Sequence, residues 1–214
     1  MKKVKFQKTN IKKPQNNFVV GIDEVGRGPL AGPVYVCGVL MTTSQYKKIM
    51  KSKIIFNLRD SKKLSEKQRE MWFENILLWQ KEGLLDFVCF NQTADSIDKN
   101  GISFCIRKCI YKILRKLEVA NNSQILLDGS LFAPKNFHNQ TTIIKGDEKV
   151  PIISLASIIA KVTRDKYMIN ISKKFFKYNF ETNKGYGTAK HCAAIKKYGI
   201  SKIHRKSFCS NLIM

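Results

Sequence analysis

Residues 18–29 read Phe-Val-Val-Gly-Ile-Asp-Glu-Val-Gly-Arg-Gly-Pro, and no other stretch narrows the possible folds of this chain so far. The apolar run over residues 18–22 predicts a buried strand. It ends in two adjacent carboxylates, Asp23 and Glu24. Burying one carboxylate at a strand end is costly, and two together repel unless a cation or a proton intervenes. Gly26, Arg27 and Gly28 follow at once. Glycine lets the main chain come close to a ligand, and the planar guanidinium can grip phosphate. Strand, acid pair, tight turn and arginine together point to metal-dependent chemistry on a phosphate ester.

A second β-rich run over residues 33–41 lies so close behind that the two strands should pair antiparallel. Residues 47–59 are basic and lack a clear period. Ser65 with Gln68 three residues on forms a capping box, and Trp72, Phe73, Ile76 and Leu77 then follow at helical spacing, with a stop near Gly83. Residues 86–90 predict a third strand. Ile102, Ile106, Cys109, Ile110, Ile113 and Leu117 mark a long amphipathic helix. A short strand over 125–127 delivers Asp128, and another over 141–144 precedes Lys145-Gly146-Asp147. Helices follow from 152 to about 173 and from Thr188, an N-cap, to Gly199, a C-terminal stop. Hairpin and helical crossovers together predict an α/β fold, a mixed β-sheet flanked by helices in a single domain.

The charge limits the partner. Thirty-nine Lys and Arg against 16 Asp and Glu give +23, which predicts a polyanion, either nucleic acid or an anionic membrane. No stretch approaches the ~18 uninterrupted apolar residues of a membrane span. The first 17 residues read as a basic tail without the apolar core of a signal peptide, and residues 18–214 as the catalytic domain. The six cysteines (37, 89, 105, 109, 192 and 209) form no Cys-x-x-Cys pair. They are expected to be reduced, packed thiols of a cytoplasmic protein.

Asp128 and Asp147 repeat the setting of Asp23 and Glu24, each following an apolar strand beside a glycine. A lone aspartate there is usually a turn residue. Four acids so placed in a strongly basic chain suggest a cage for hard cations, Mg²⁺ or Mn²⁺. Two such ions about 4 Å apart serve an in-line displacement at phosphorus.

Gly21-Ile22-Asp23-Glu24-Val25-Gly26-Arg27-Gly28-Pro29-Leu30-Ala31-Gly32-Pro33 closely resembles the signature of ribonuclease HII. Asp60-Ser61-Lys62-Lys63, Leu127-Asp128-Gly129, Lys145-Gly146-Asp147, the run from Ala156 to Asp165, Lys184-Gly185-Tyr186-Gly187-Thr188 and His204-Arg205-Lys206-Ser207-Phe208 resemble further blocks of that family, in its order. The resemblance implies a ribonuclease H-like fold with Asp23, Glu24, Asp128 and Asp147 as catalytic, metal-binding acids. It also implies that Gly26, Arg27 and Gly28 contact the ribose 2′-hydroxyl beside the cut, and that Tyr186 packs on the next sugar. Lys62 and Lys63 would meet phosphate, and Lys161, Arg164 and Lys184 would line the groove. Asp165, one turn from Lys161, reads as its salt-bridge partner, and His191 and His204 resemble structural positions. Phe208-Cys209-Ser210 departs from the family pattern.

The implied activity is endonucleolytic hydrolysis of RNA in RNA–DNA hybrids and 5′ to single ribonucleotides in duplex DNA, leaving 3′-hydroxyl and 5′-phosphate ends. The expected setting is a cytoplasmic monomer that removes misincorporated ribonucleotides and RNA primers. The alternative is a non-catalytic hybrid-binding protein, for which the charge alone would suffice. A dinucleotide-binding unit is the weakest rival, because residues 21–28 do not give Gly-x-Gly-x-x-Gly and no helix follows the turn.

Overall fold

The computed structural model describes residues 18–51 and 64–212. The apolar run becomes β1 (Phe18–Val25), paired antiparallel with β2 (Val34–Thr42) in a register that sets Asp23 opposite Cys37. A short helix, α1 (Thr43–Lys51), follows where the sequence showed no clear period. None of its residues is fully buried, and Tyr46 and Ile49, half-buried against the core, make too short a stripe to mark it.

The capping box at Ser65 and Gln68 opens α2 (Glu66–Lys81), with Ser65 N–H donating to Gln68 Oε1 and Gln68 N–H to Ser65 Oγ. Next come β3 (Asp86–Gln92), α3 (Ala94–Asn100) and α4 (Ile102–Lys116). The strands β4 (Gln124–Asp128) and β5 (Gln140–Ile143) lead to a single helical turn, α5 (Gly146–Lys149), and then to α6 (Pro151–Ser172). A short α7 (Phe180–Asn183), α8 (Ala189–Tyr198) with the foreseen caps Thr188 and Gly199, and α9 (Lys206–Cys209) complete the described chain.

The sheet order is β3-β2-β1-β4-β5, antiparallel on one side of β1 and parallel on the other. Both faces are covered. Val20 and Ile22 of β1 join Ile106, Ile110 and Ile113 of α4 in one apolar layer. Val19 lies in the other, with Trp72 and Ile76 of α2 and Ile152, Ala156 and Ile159 of α6. Residues in a strand alternate faces, so Gly21 and Asp23 share the α6 side. A Cβ on Gly21 would come within 2.5 Å of the Ile152 carbonyl carbon. Glycine there lets α6 lie against β1, beside Asp23.

One expectation fails in the sheet. Cys37 and Cys89 form a disulfide, being directly opposite in the β2–β3 ladder with Cα atoms 4.2 Å apart. Their separation of 52 residues hid this pairing from spacing rules. Cys105, Cys109, Cys192 and Cys209 are free thiols, as expected.

Candidate active site

Parallel pairing brings the acids together. β1 and β4 run in register through Ile22 and Leu127. The next residue on each strand, Asp23 and Asp128, therefore emerges at the same sheet end. A ligand oxygen from each of Asp23, Glu24 and Asp128 lies within 4.8 Å of the others. Asp147 lines the same cleft but stands outside that set. It is buried in the α5 turn after β5 rather than at a strand tip, and its N–H donates to Asp128 Oδ1 at 3.3 Å. Gly146 N–H donates to the same oxygen at 2.6 Å. Lys145, which precedes this turn, has a left-handed φ of 56°.

The cleft encloses about 380 Å³ between the acids, Arg69 of α2, Ser157 and Lys161 of α6, and Tyr186. Burial raises the Asp23 carboxyl well above the ordinary aspartate value, and the Glu24 and Asp128 charges push the same way. A hydrogen bond from Ser157 opposes them. Glu24 is also raised, chiefly by burial, with Arg27 pulling back. Arg27 Nη1 lies 3.4 Å from Glu24 Oε1, while Glu24 Oε2 is buried and accepts no hydrogen bond from the described residues. Like charges crowded in one cleft with an orphaned oxygen are what a divalent cation would relieve. The donor set contains oxygen alone, which suits Mg²⁺ or Mn²⁺.

Behind the acids, two buried arginines hold the loop that follows β1. Arg205 donates from Nη2 to Gly26 O at 2.6 Å, from Nη1 to Arg27 O at 2.8 Å and from Nε to Gly32 O at 3.0 Å. Burial, with Arg164 nearby, pulls its pKa down to about 10, so it stays charged at neutral pH. Arg164 donates to Pro33 O and Ala31 O at 3.0 and 3.2 Å. The expectation that Arg164 lines the groove is corrected here, because its guanidinium is buried among carbonyls. Gly26, with φ of 87°, is required at this point, since a Cβ would lie 2.3 Å from Arg164 Nε. Gly28 has open space around it.

The loop carrying Tyr186 is tied to the same framework. Leu30 and Ala31 N–H groups donate to Gly185 O. Ser201 N–H and Oγ–H both point to His204 Nδ1, so that nitrogen carries no proton. His204 Nε2–H then donates to His191 Nε2 at 3.0 Å, and His191 Nδ1–H donates to Tyr186 O at 2.8 Å. Both histidines are structural, as expected. Tyr186 is 40% exposed at the cleft rim, with Arg164 5.6 Å from its ring centre. Lys161 lines the cleft and pairs with Asp165 at 3.0 Å. Lys184 is absent from the lining and bonds back to Glu181 O. Lys62 and Lys63 lie outside the described residues.

Three contributors escaped the sequence reading. Ser157 follows Ser154 and precedes Lys161 at helical spacing, a polar stripe on the otherwise buried α6. Arg69 sits on the inward stripe of α2, three and four residues before the buried Trp72 and Phe73. Ser130, within 3.4 Å of Arg27 Nη1, had no local signal.

The sequence model of the family described as Ribonuclease HII matches residues 20–211. The chain belongs to the ribonuclease HII family. A ribonuclease HII of Caldicellulosiruptor bescii is 41% identical over 198 residues, covering 92% of this chain and 88% of that protein. One from Aliarcobacter butzleri is 44% identical over 190 residues, covering 88% of each. Among solved structures, ribonuclease H2 of Pyrococcus horikoshii superposes with a TM-score of 0.67 at 25% identity, covering 91% of this chain and 96% of that one. Ribonuclease HII of Archaeoglobus fulgidus, solved in complex with PCNA, gives 0.70 at 24% identity, covering 92% and 97%. The fold is accordingly ribonuclease H-like. As a ribonuclease HII the chain is a type 2 ribonuclease H, a hydrolase acting on RNA–DNA hybrids, in a divalent-metal-dependent family. No helix among the described residues is long and apolar enough to cross a membrane.

Proposed function

We propose that this ribonuclease HII cuts duplex nucleic acid on the 5′ side of a ribonucleotide, leaving 3′-hydroxyl and 5′-phosphate ends, with Asp23, Glu24, Asp128 and Asp147 as its metal-binding acids. The observation that carries the reading is the convergence of three acid oxygens within 4.8 Å beside an orphaned Glu24 oxygen. Two divalent ions, Mg²⁺ or Mn²⁺, would supply an activated water and a counter-charge for the leaving oxygen. Asp23 and Asp128 present ligand oxygens from adjacent strand ends. Main-chain N–H groups of Gly146 and Asp147 hold Asp128 in one orientation, and Ser157 does so for Asp23.

Ribose recognition falls to the turn of Gly26, Arg27 and Gly28. Its main chain is fixed from behind by Arg205 and is open at Gly28, so a nucleotide can approach closely. The 2′-hydroxyl is the group that separates RNA from DNA at such a turn. Tyr186, exposed at the cleft rim with Arg164 between it and Gly26, offers a flat apolar face to the neighbouring sugar. Lys62 and Lys63 add phosphate contacts in this reading. Residues 18–214 form the catalytic unit and residues 1–17 a basic tail, working as a cytoplasmic monomer that removes misincorporated ribonucleotides and RNA primers.

The test is cleavage of a DNA duplex holding one ribonucleotide, with all-DNA and RNA–DNA hybrid duplexes beside it, in Mg²⁺ and in Mn²⁺. A single cut 5′ to the ribonucleotide is the expected product. Hybrid cleavage without that cut would remove the assigned role of the Gly26–Gly28 turn. Tight binding with no cleavage would favour the hybrid-binding alternative.

A further inference from the structure

The end of the sheet that carries the acids opens on both faces. On the α6 side lies the acidic cleft. On the α4 side lies a second groove of about 260 Å³, floored by Ile106 and Ile110 and rimmed by Ser103, Arg107, Ser130 and Phe132. Arg27 is the wall between them. It lines the second groove, yet its Nη1 is 3.4 Å from both Glu24 Oε1 and Ser130 Oγ. A strand crossing the acids would pass over Arg27 into this groove.

The groove has the chemistry of a nucleic-acid contact. Its lining holds two guanidiniums and no carboxylate. Every charged residue of α4 is basic: Arg107, Lys108, Lys112, Arg115 and Lys116. Phe132 is 62% exposed at the rim. Along the outer face of α4, one turn beyond Arg107, Tyr111 is also exposed, with Arg115 5.7 Å from its ring centre. Cations interleaved with exposed aromatic faces suit a partner that alternates phosphates with flat rings.

We propose that this groove holds a flanking stretch of the substrate duplex, with Arg107 on a backbone phosphate and Phe132 packed against the adjoining sugar or base. The proposal rests on the functional reading above and adds to it a second contact, across Arg27 from the acids. It assigns α4 a role in binding that the acidic cleft does not require.

The experiment compares the full chain with Arg107→Glu, Phe132→Ala and, as a control of equal charge change on α8, Lys196→Glu. Substrates are single-ribonucleotide duplexes trimmed stepwise from either end. Cleavage by the unaltered chain tests the functional reading first, so failure there is distinct from failure of the groove. For Arg107→Glu, KM on the longest duplex should rise about three- to tenfold with kcat held. The slope of log affinity against log salt, measured by anisotropy without divalent ions, should become shallower by about 1. Phe132→Ala should raise KM without changing that slope. Trimming one flank should erase the difference between the unaltered chain and Arg107→Glu, while trimming the other should not.

If Arg107→Glu melts early, Arg107→Gln, which keeps the stem, gives the same comparison. Equal losses for Arg107→Glu and Lys196→Glu would reduce the effect to bulk charge and overturn the proposal. Unchanged KM in both groove variants at every length would overturn it as well, leaving the groove to an acidic protein partner.

Discussion

Two groups of buried and half-buried polar side chains lie within one loop of each other, and they are built on opposite principles. The cluster of Asp23, Glu24 and Asp128 gathers charges of one sign, raises the Asp23 and Glu24 carboxyls and leaves Glu24 Oε2 unmatched by the described residues. The centre formed by Arg205, His191 and His204 is matched almost atom for atom. Three arginine donors meet three carbonyls, and the histidine pair is ordered by hydrogen bonds at both ends. The second centre stabilises the fold. The first is strained until a cation arrives, and removing one of its charges should cost function while sparing stability.

Asp23→Ala should break that symmetry most visibly. Cleavage should fall by about 10³-fold or more, on the order of 4 kcal/mol in the barrier. The metal-free melting temperature should hold or rise, because a desolvated like charge has gone. Steady-state rates alongside thermal melts check both halves.

Arg205→Ala should do the reverse. It strands the Gly26, Arg27 and Gly32 carbonyls, and each unsatisfied buried group costs about 1–3 kcal/mol. We expect a stability loss of about 3 kcal/mol by urea unfolding, with Arg205→Lys intermediate because one ammonium cannot span three acceptors. Equal stability of Arg205→Ala and the unaltered chain would refute the scaffold role.

A smaller effect separates the two centres by pH. Burial, with His191 beside it, pushes His204 down to about 4, and His191 is lowered by burial too. His204 packs against the Tyr178 ring at 4.8 Å and is followed by the cationic Arg205. The unfolded chain takes up these protons first, so the stabilisation is complete above about pH 6.5 and declines toward about pH 4, by roughly 3 kcal/mol for His204 alone. The raised carboxyls act with the opposite sign, favouring the folded chain as pH falls. Urea midpoints between about pH 7 and pH 5 should therefore drop more steeply in Asp23→Asn than in the unaltered chain. Parallel slopes would contradict the assignment of opposite signs.

The contrast also explains what the sequence could reveal. Strand ends carrying acids, the capping box at Ser65, the N-cap at Thr188 and the stop at Gly199 are local patterns, so β1, β4, α2 and α8 were readable from neighbouring residues. Asp23, Glu24 and Asp128 shared the same local signature and met in space as expected. Asp147 shared it too, yet it sits in a helical turn because Lys145 takes a left-handed conformation. Arg205 and Arg164 act on carbonyls 131 to 179 residues away, and no local pattern encodes such a partner. The Cys37–Cys89 bridge was hidden for the same reason: it depends on the β2–β3 register.

The most direct test of the central claim is a thermal melt of the unaltered chain and of Asp128→Asn, each titrated with Mn²⁺. The strained cluster predicts that Mn²⁺ raises the melting temperature of the unaltered chain, by about 2.7 kcal/mol of stabilisation at a hundredfold excess over Kd. Asp128→Asn should lose that rise while melting no lower than the unaltered chain without metal. An equal Mn²⁺ shift in both proteins, or a metal-free Asp128→Asn that melts well below the unaltered chain, would contradict it.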